Sequence, residues 1–339
     1  MMFGKLTFNT KGYDPFIDFI KAYAILCVLV GHFLSSSNNV LYPIWGGNQV
    51  PLFVAVQCFH YMKNTPPRPL NVTRIFTRVL IPFIVIQVFI VAVLFVGNGF
   101  SGFGKLLSYF FDNGGYGQGD YYPFIYAQIA LLLPIFYRMT SWVKDDRVLL
   151  ILFIIICELL EIASSYVHFS DTLYRLLAIR YLFLIYFGWK WAKNGISMNI
   201  GTLVVSLLSL ASIIYFVWYN NNCEPWFFDT SWKYHRWPCY FFVAELGVFF
   251  LYKLWGIISK YSLIMRAVSF MSRCSYDIFL AQMLAYVLFP MELFSFFPMP
   301  VLGRFITAFV FSILFGQVLH KFFSCVFGTL NKIAVKDNN

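Results

Sequence analysis

The feature that most limits what this chain can become is the recurrence of apolar stretches about as long as a bilayer is thick. Ten can be read, at about 16–35, 48–62, 79–97, 122–137, 148–166, 173–189, 198–219, 238–256, 271–290 and 301–325. A helix needs ~20 mostly apolar residues to cross hydrocarbon. Of the 339 residues, 60% are apolar and only 12% are Asp, Glu, Lys or Arg, a balance foreign to water-soluble domains. The expectation is an all-α polytopic membrane protein with about ten transmembrane helices, a single domain over 1–339 with a short tail from 326. The second and fourth runs are short, and the fourth contains Pro123, Gln128 and Pro134, so tilted or broken helices are expected there. The first run follows Lys5 and Lys11 as a signal peptide would. Its length and its internal Lys21 and His32 mark it instead as an uncleaved helix.

Orientation follows from the cations, because cytoplasmic connections accumulate Lys and Arg. Of the 25, 18 fall on the side that holds both termini and five on the other, with Lys21 and Arg180 inside runs. Both termini are therefore expected in the cytoplasm. The formal charge of +10 is then topological, and nucleic acid is excluded as a partner, since the basic residues sit in short connections between apolar runs. Most of the seven cysteines lie in or at the ends of apolar runs and read as packing residues. Cys223 and Cys239 flank the one long non-cytoplasmic loop, where an oxidising compartment would permit a disulfide. No metal-ligand spacing, phosphate-binding glycine loop or internal repeat stands out.

The first run carries three ionisable residues, which are costly in hydrocarbon. Asp18 and Lys21 are three apart and can pair near the cytoplasmic surface. Lys21 and His32 are eleven apart, which returns them to nearly the same helix face, ~16 Å apart along the axis. One stripe thus joins a cytoplasmic cation to a deep imidazole. Spacing alone leaves that imidazole either catalytic or merely hydrogen-bonded to a neighbouring helix.

The segment Ile17-Asp18-Phe19-Ile20-Lys21, ten residues and then His32 resembles the first helix of the acyltransferase type 3 family of integral membrane acyltransferases. The resemblance continues through Pro51-Leu52-Phe53, Arg74-Ile75-Phe76-Thr77-Arg78-Val79-Leu80-Ile81-Pro82, Tyr121-Tyr122-Pro123-Phe124-Ile125-Tyr126 and Lys233-Tyr234-His235-Arg236-Trp237-Pro238. It ends in Ser275-Tyr276-Asp277-Ile278-Phe279-Leu280-Ala281-Gln282. Each motif is weak; their order and spacing over nearly the whole chain carry the likeness. Two departures stand out. Gln57-Cys58 replaces the Ser-Gly of many members, which questions a close-packed turn in the second helix. Gln282 replaces a histidine.

The resemblance implies transfer of an acyl group, most commonly acetyl from cytosolic acetyl-CoA, to a hydroxyl of a surface polysaccharide or its lipid-linked precursor, in a bacterial plasma membrane. His32 is then the catalytic residue, as general base or acyl carrier. Lys21, Arg74 and Arg78, at cytoplasmic helix ends, are the candidates for holding the CoA phosphates, while Lys63 and Arg68 read as topological anchors. Asp18 would orient Lys21, and the group that fixes the His32 tautomer is not identified. On the acceptor side, Tyr122, Gln128, Trp232 and Trp237 are candidates for sugar contact, against the plainer reading of an interfacial aromatic belt. Arg180, inside the sixth run, requires a buried partner, with Glu158, Glu161 and Glu245 available. His60, His168 and His320 read as structural or interfacial. No metal is implied. The competing classes are a transporter or flippase of a sugar, lipid or acyl donor, and a non-catalytic glycan receptor.

Overall fold

In the computed structural model the described residues are 2–34, 49–65, 69–98, 103–143, 145–167, 169–215 and 236–336. Strand β1 (Met2–Leu6) leads into α1 (Pro15–Phe33), α2 (Gln49–Met62) and α3, which comprises Val72–Ile75, a π turn Phe76–Leu80 and Ile81–Asn98. Then come α4 (Phe103–Asn113), α5 (Tyr122–Trp142), α6 (Asp146–Tyr166), α7 (Asp171–Leu176), a 3₁₀ turn Ile179–Tyr181, α8 (Leu184–Lys193), β2 (Ile196–Asn199) and α9 (Ile200–Ile214). The remainder is α10 (Trp237–Phe241, a π turn Phe242–Gly247 and Val248–Ile258), α11 (Ser262–Arg273), α12 (Ser275–Leu288), a 3₁₀ turn Met291–Phe294 and α13 (Pro300–Lys336).

Among the described residues, five helices are long and apolar enough to cross a membrane: Pro15–Phe33, Val72–Val96, Tyr122–Trp142, Trp237–Ile258 and Pro300–Phe327. The other apolar runs fold as shorter, broken or more charged helices. The sixth run is not one helix, as its hydropathy predicts, but α7, a 3₁₀ turn and α8. The fourth, expected to be tilted or broken, is one continuous helix through Pro134. Short helices such as α2 and α8 are tolerable because they are mostly buried in protein, where neighbours rather than lipid meet their polar groups. The all-α expectation needs one correction: β1 pairs antiparallel with β2, with Leu6 opposite Ile196. This ribbon ties the start of the chain to the connection after α8.

Local chemistry explains where several helices start and bend. Asp14 caps α1, its carboxylate accepting from Phe16 N, and Pro15 follows at the position where a missing N–H costs nothing. Pro82 cannot donate to Arg78 one turn earlier, and the π turn Phe76–Leu80 lies where that bond is lost. In α10 the indole of Trp191 donates to Ala244 O at 3.1 Å, and that carbonyl lies within the second π turn.

α1 is the hub, packing against α2, α10, α11, α12 and α13. The tightest crossings use glycine. A Cβ on Gly188 of α8 would lie 2.3 Å from Cys58 Cβ and 2.7 Å from Phe59 N on α2. At Gln57-Cys58 the close packing is therefore made by a small residue on the facing helix. Gly316 of α13 does the same for α12, where a Cβ would fall 2.8 Å from Ile278 Cα. On the outside of α13, Ile306, Val310, Leu314, Val318 and Phe322 are exposed every fourth residue, an apolar stripe suited to lipid.

Candidate functional site

A cavity of about 760 Å³ opens between α1, α2, α3, α5, α11, α12 and α13. At one end stand the exposed Leu70, Asn71 and Arg74 of the α2–α3 connection and the start of α3; at the other, buried Tyr122 and Phe279. Its charged lining is one-sided: Lys21, Lys63, Arg74, Arg78 and Arg273 against the single carboxylate of Asp277. The helices set this asymmetry. Arg74 precedes the π turn of α3 and Arg78 lies within it, and Asn71 caps the start of that helix by accepting from Arg74 N at 2.8 Å. Lys21 is held by Asp18 at 3.1 Å. The same Asp18 also accepts from Ser272 Oγ of α11 and from Tyr13 Oη, both at 2.5 Å. That bond, together with burial, pushes the Tyr13 phenol up to about 12.

Three cavity groups were legible only as something else in sequence. Arg273 counted toward topology. His320, read as structural, places Nδ1 2.8 Å from Asp277 Oδ2 on the cavity wall. Lys63, read as an anchor, lines the cavity while its ammonium donates to Gly12 O at 3.1 Å and lies over the Phe59 ring.

His32 is not part of the cavity lining; it sits just beyond the inner wall. Its Nδ1 lies 2.8 Å from Gln282 Oε1, and the Nε2 of the same amide donates to Gln118 O at 2.8 Å. Because that carbonyl accepts only, the amide orientation is set, Oε1 faces the imidazole, and Nδ1 carries the proton. His32 Nε2 is left as the basic nitrogen. The tautomer-fixing group that sequence did not identify is Gln282.

Over His32 lies the glycine-rich connection from α4 to α5. It is held by Gln87 of α3, which bonds both Tyr116 O at 3.0 Å and Tyr116 N at 2.7 Å, and by Gln282 at Gln118. The next residue but one, Asp120, is buried beside Arg175 at 3.4 Å, and burial lifts its carboxyl to about 6 against the lowering effect of that guanidinium.

The acceptor-side candidates separate. Tyr122 lines the inner end of the cation-lined cavity, edge-on to Phe279 at 5.3 Å, and so belongs to the same space as Lys21, Arg74 and Arg78. Gln128 is a clamp at the break in the sixth run: it donates to Leu176 O at 2.6 Å and accepts from Ala178 N at 3.1 Å. Trp237 donates its indole N–H to Glu158 and packs on Phe183 and Phe241, away from the cavity. Trp232, and Cys223 of the considered disulfide, lie outside the described residues; Cys239 is buried. Arg180 is buried at that same break. Its guanidinium stands over the rings of Tyr121 and Tyr181 at 5.0 Å each and donates to Arg175 O, and Glu161 lies within its electrostatic reach. Glu245 instead pairs with Lys190.

Residues 14–321 match the family model of the type 3 acyltransferase domain. The chain belongs to the acyltransferase type 3 family. No curated protein and no solved structure matches it. The match spans every element from α1 to His320 in α13, so His32, Gln282 and all of the cavity's charged lining lie inside the acyltransferase domain. As a family member with five membrane-length apolar helices, this acyltransferase is a multi-pass membrane protein.

Proposed function

We propose that this acyltransferase moves an acyl group, acetyl in the first instance, from cytosolic acyl-CoA to a hydroxyl of a surface polysaccharide or its lipid-linked precursor in a bacterial plasma membrane. The observation that carries the reading is the cavity in which five cations and one carboxylate lead inward to an aromatic wall with a tautomer-fixed imidazole directly behind it. A CoA nucleotide bears several phosphates, and clustered guanidinium and ammonium groups are suited to them. In this reading the ten apolar runs lie in the bilayer, both termini and the cavity mouth face the cytoplasm, as the 18-to-5 cation split favours, and the thioester end of the donor points toward His32.

The chemistry then falls to His32. Nε2 takes the proton of the acceptor hydroxyl as its oxygen attacks the thioester carbonyl carbon; the carbon–sulfur bond breaks, and the departing thiolate receives that proton. Gln282 holds the ring so that Nε2, not Nδ1, is the base. The test uses membranes carrying the protein, which supply the acceptor, and radiolabelled acetyl-CoA. Label entering the glycan or lipid-linked sugar fraction, and lost in His32→Ala, is the expected result. Label-independent sugar or lipid flux that survives His32→Ala would favour a transporter instead.

A further inference from the structure

The cavity stops short of His32, and Phe279, which lines its inner end, also approaches the connection that covers the imidazole. Phe279, 4% exposed, lies parallel to Tyr276 at 6.1 Å and edge-on to Tyr122. A Cβ built on Gly119 would fall 2.8 Å from Phe279 Cε2 and 3.6 Å from His32 Cε1, so the ring edge and the imidazole both approach a single point on the α4–α5 connection. Gly119 has φ +87° there, a conformation that side chains rarely adopt, and a larger residue would also strike the ring.

The walls around this ring are tied down. Tyr276 Oη donates to Val79 O at 2.7 Å, and Gln282 is bonded at both ends of its amide. The part that can yield is the Phe279 ring, and the space an acyl chain gains beside His32 is the space that ring gives up. We infer that Phe279 is the residue that limits acyl-chain length, admitting a two-carbon group to His32 and excluding long chains. The inference rests on the acyl-CoA reading above and adds a selectivity element to it.

The experiment compares radiolabelled acetyl-CoA and octanoyl-CoA as donors for wild type, Phe279→Leu and Phe279→Ala in the same membrane assay, with CoA binding to each purified variant measured separately. Wild type should use acetyl-CoA far better. The octanoyl-to-acetyl ratio of kcat/KM should rise about tenfold or more in Phe279→Ala, with Phe279→Leu between. The opposite change, Phe279→Trp, should lower the use of butyryl-CoA relative to acetyl-CoA, which keeps the idea testable if the alanine variant does not fold. A ratio that moves less than about twofold across all three variants overturns the inference, as does loss of turnover with every donor in variants that still bind CoA. If wild type transfers no acyl group from any donor, the proposed function itself falls and this inference with it. A working wild type with an unmoved ratio removes the inference alone.

Discussion

His32 and Gln282 stand 250 positions apart in sequence, and their side chains meet at 2.8 Å between Nδ1 and Oε1. The contact joins α1 to α12, and through Gln118 O it also locks the connection that covers the imidazole. Gln282→Leu is therefore expected to lower kcat about tenfold to a hundredfold, the usual scale for losing a partner that orients a functional histidine. The KM for acyl-CoA should stay nearly constant, because the amide does not line the cavity. Steady-state kinetics check the split, and a KM effect without a kcat effect would contradict the assigned role.

The cations at the π turn of α3 make a second prediction. If Arg74 and Arg78 hold phosphate, each removed charge-assisted hydrogen bond costs about 1.5–3 kcal/mol, or roughly a tenfold to hundredfold rise in Kd. Arg74→Ala and Arg78→Ala should each weaken CoA binding on that scale and flatten its dependence on salt. Titration calorimetry at two ionic strengths reads both effects, and dephospho-CoA should show a smaller loss with whichever arginine meets the 3′-phosphate.

Asp120 gives the fold a pH dependence of defined sign. Burial raises its carboxyl from 3.8 to about 6, so between those values the folded protein binds more protons than the unfolded chain. The corresponding stabilisation is fully present below pH 3.8 and is lost as pH rises through 6, in all about 3 kcal/mol. Melting temperature in detergent should therefore drop for wild type relative to Asp120→Asn as pH climbs from 4 to 7. A constant difference between the two proteins across that range would remove the argument.

Two glycines set helix spacing. Adding a methyl at Gly188 meets the Cys58 side chain and Phe59 backbone, and at Gly316 the Ile278 backbone, all closer than 3.0 Å. Backbone cannot step aside as a side-chain tip can. Gly188→Ala and Gly316→Ala should each cost about 1–3 kcal/mol or more through overpacking, seen as a lower melting temperature. Gly256→Ala, where nothing lies within 4 Å, is the control that should be neutral or slightly stabilising, since alanine is the better helix former.

Sequence by itself determined the membrane class, because hydrocarbon admits so few alternatives to apolar helices. It also determined the family, and the placing of Lys21 and His32 on one helix, because their spacing is a property of that helix alone. What it could not reach was every relation between helices. The break at Arg180 in an unbroken apolar run, the β1–β2 ribbon, the gathering of Arg273, Asp277 and His320 into one cavity and the contact of His32 with Gln282 all depend on which helix lies beside which. Apolar periodicity says that a face is buried and is silent on its neighbour. The neighbour is chosen by shape, as where Gly188 admits Cys58, and by the need of buried polar groups for partners. Both are decided only when the whole bundle closes.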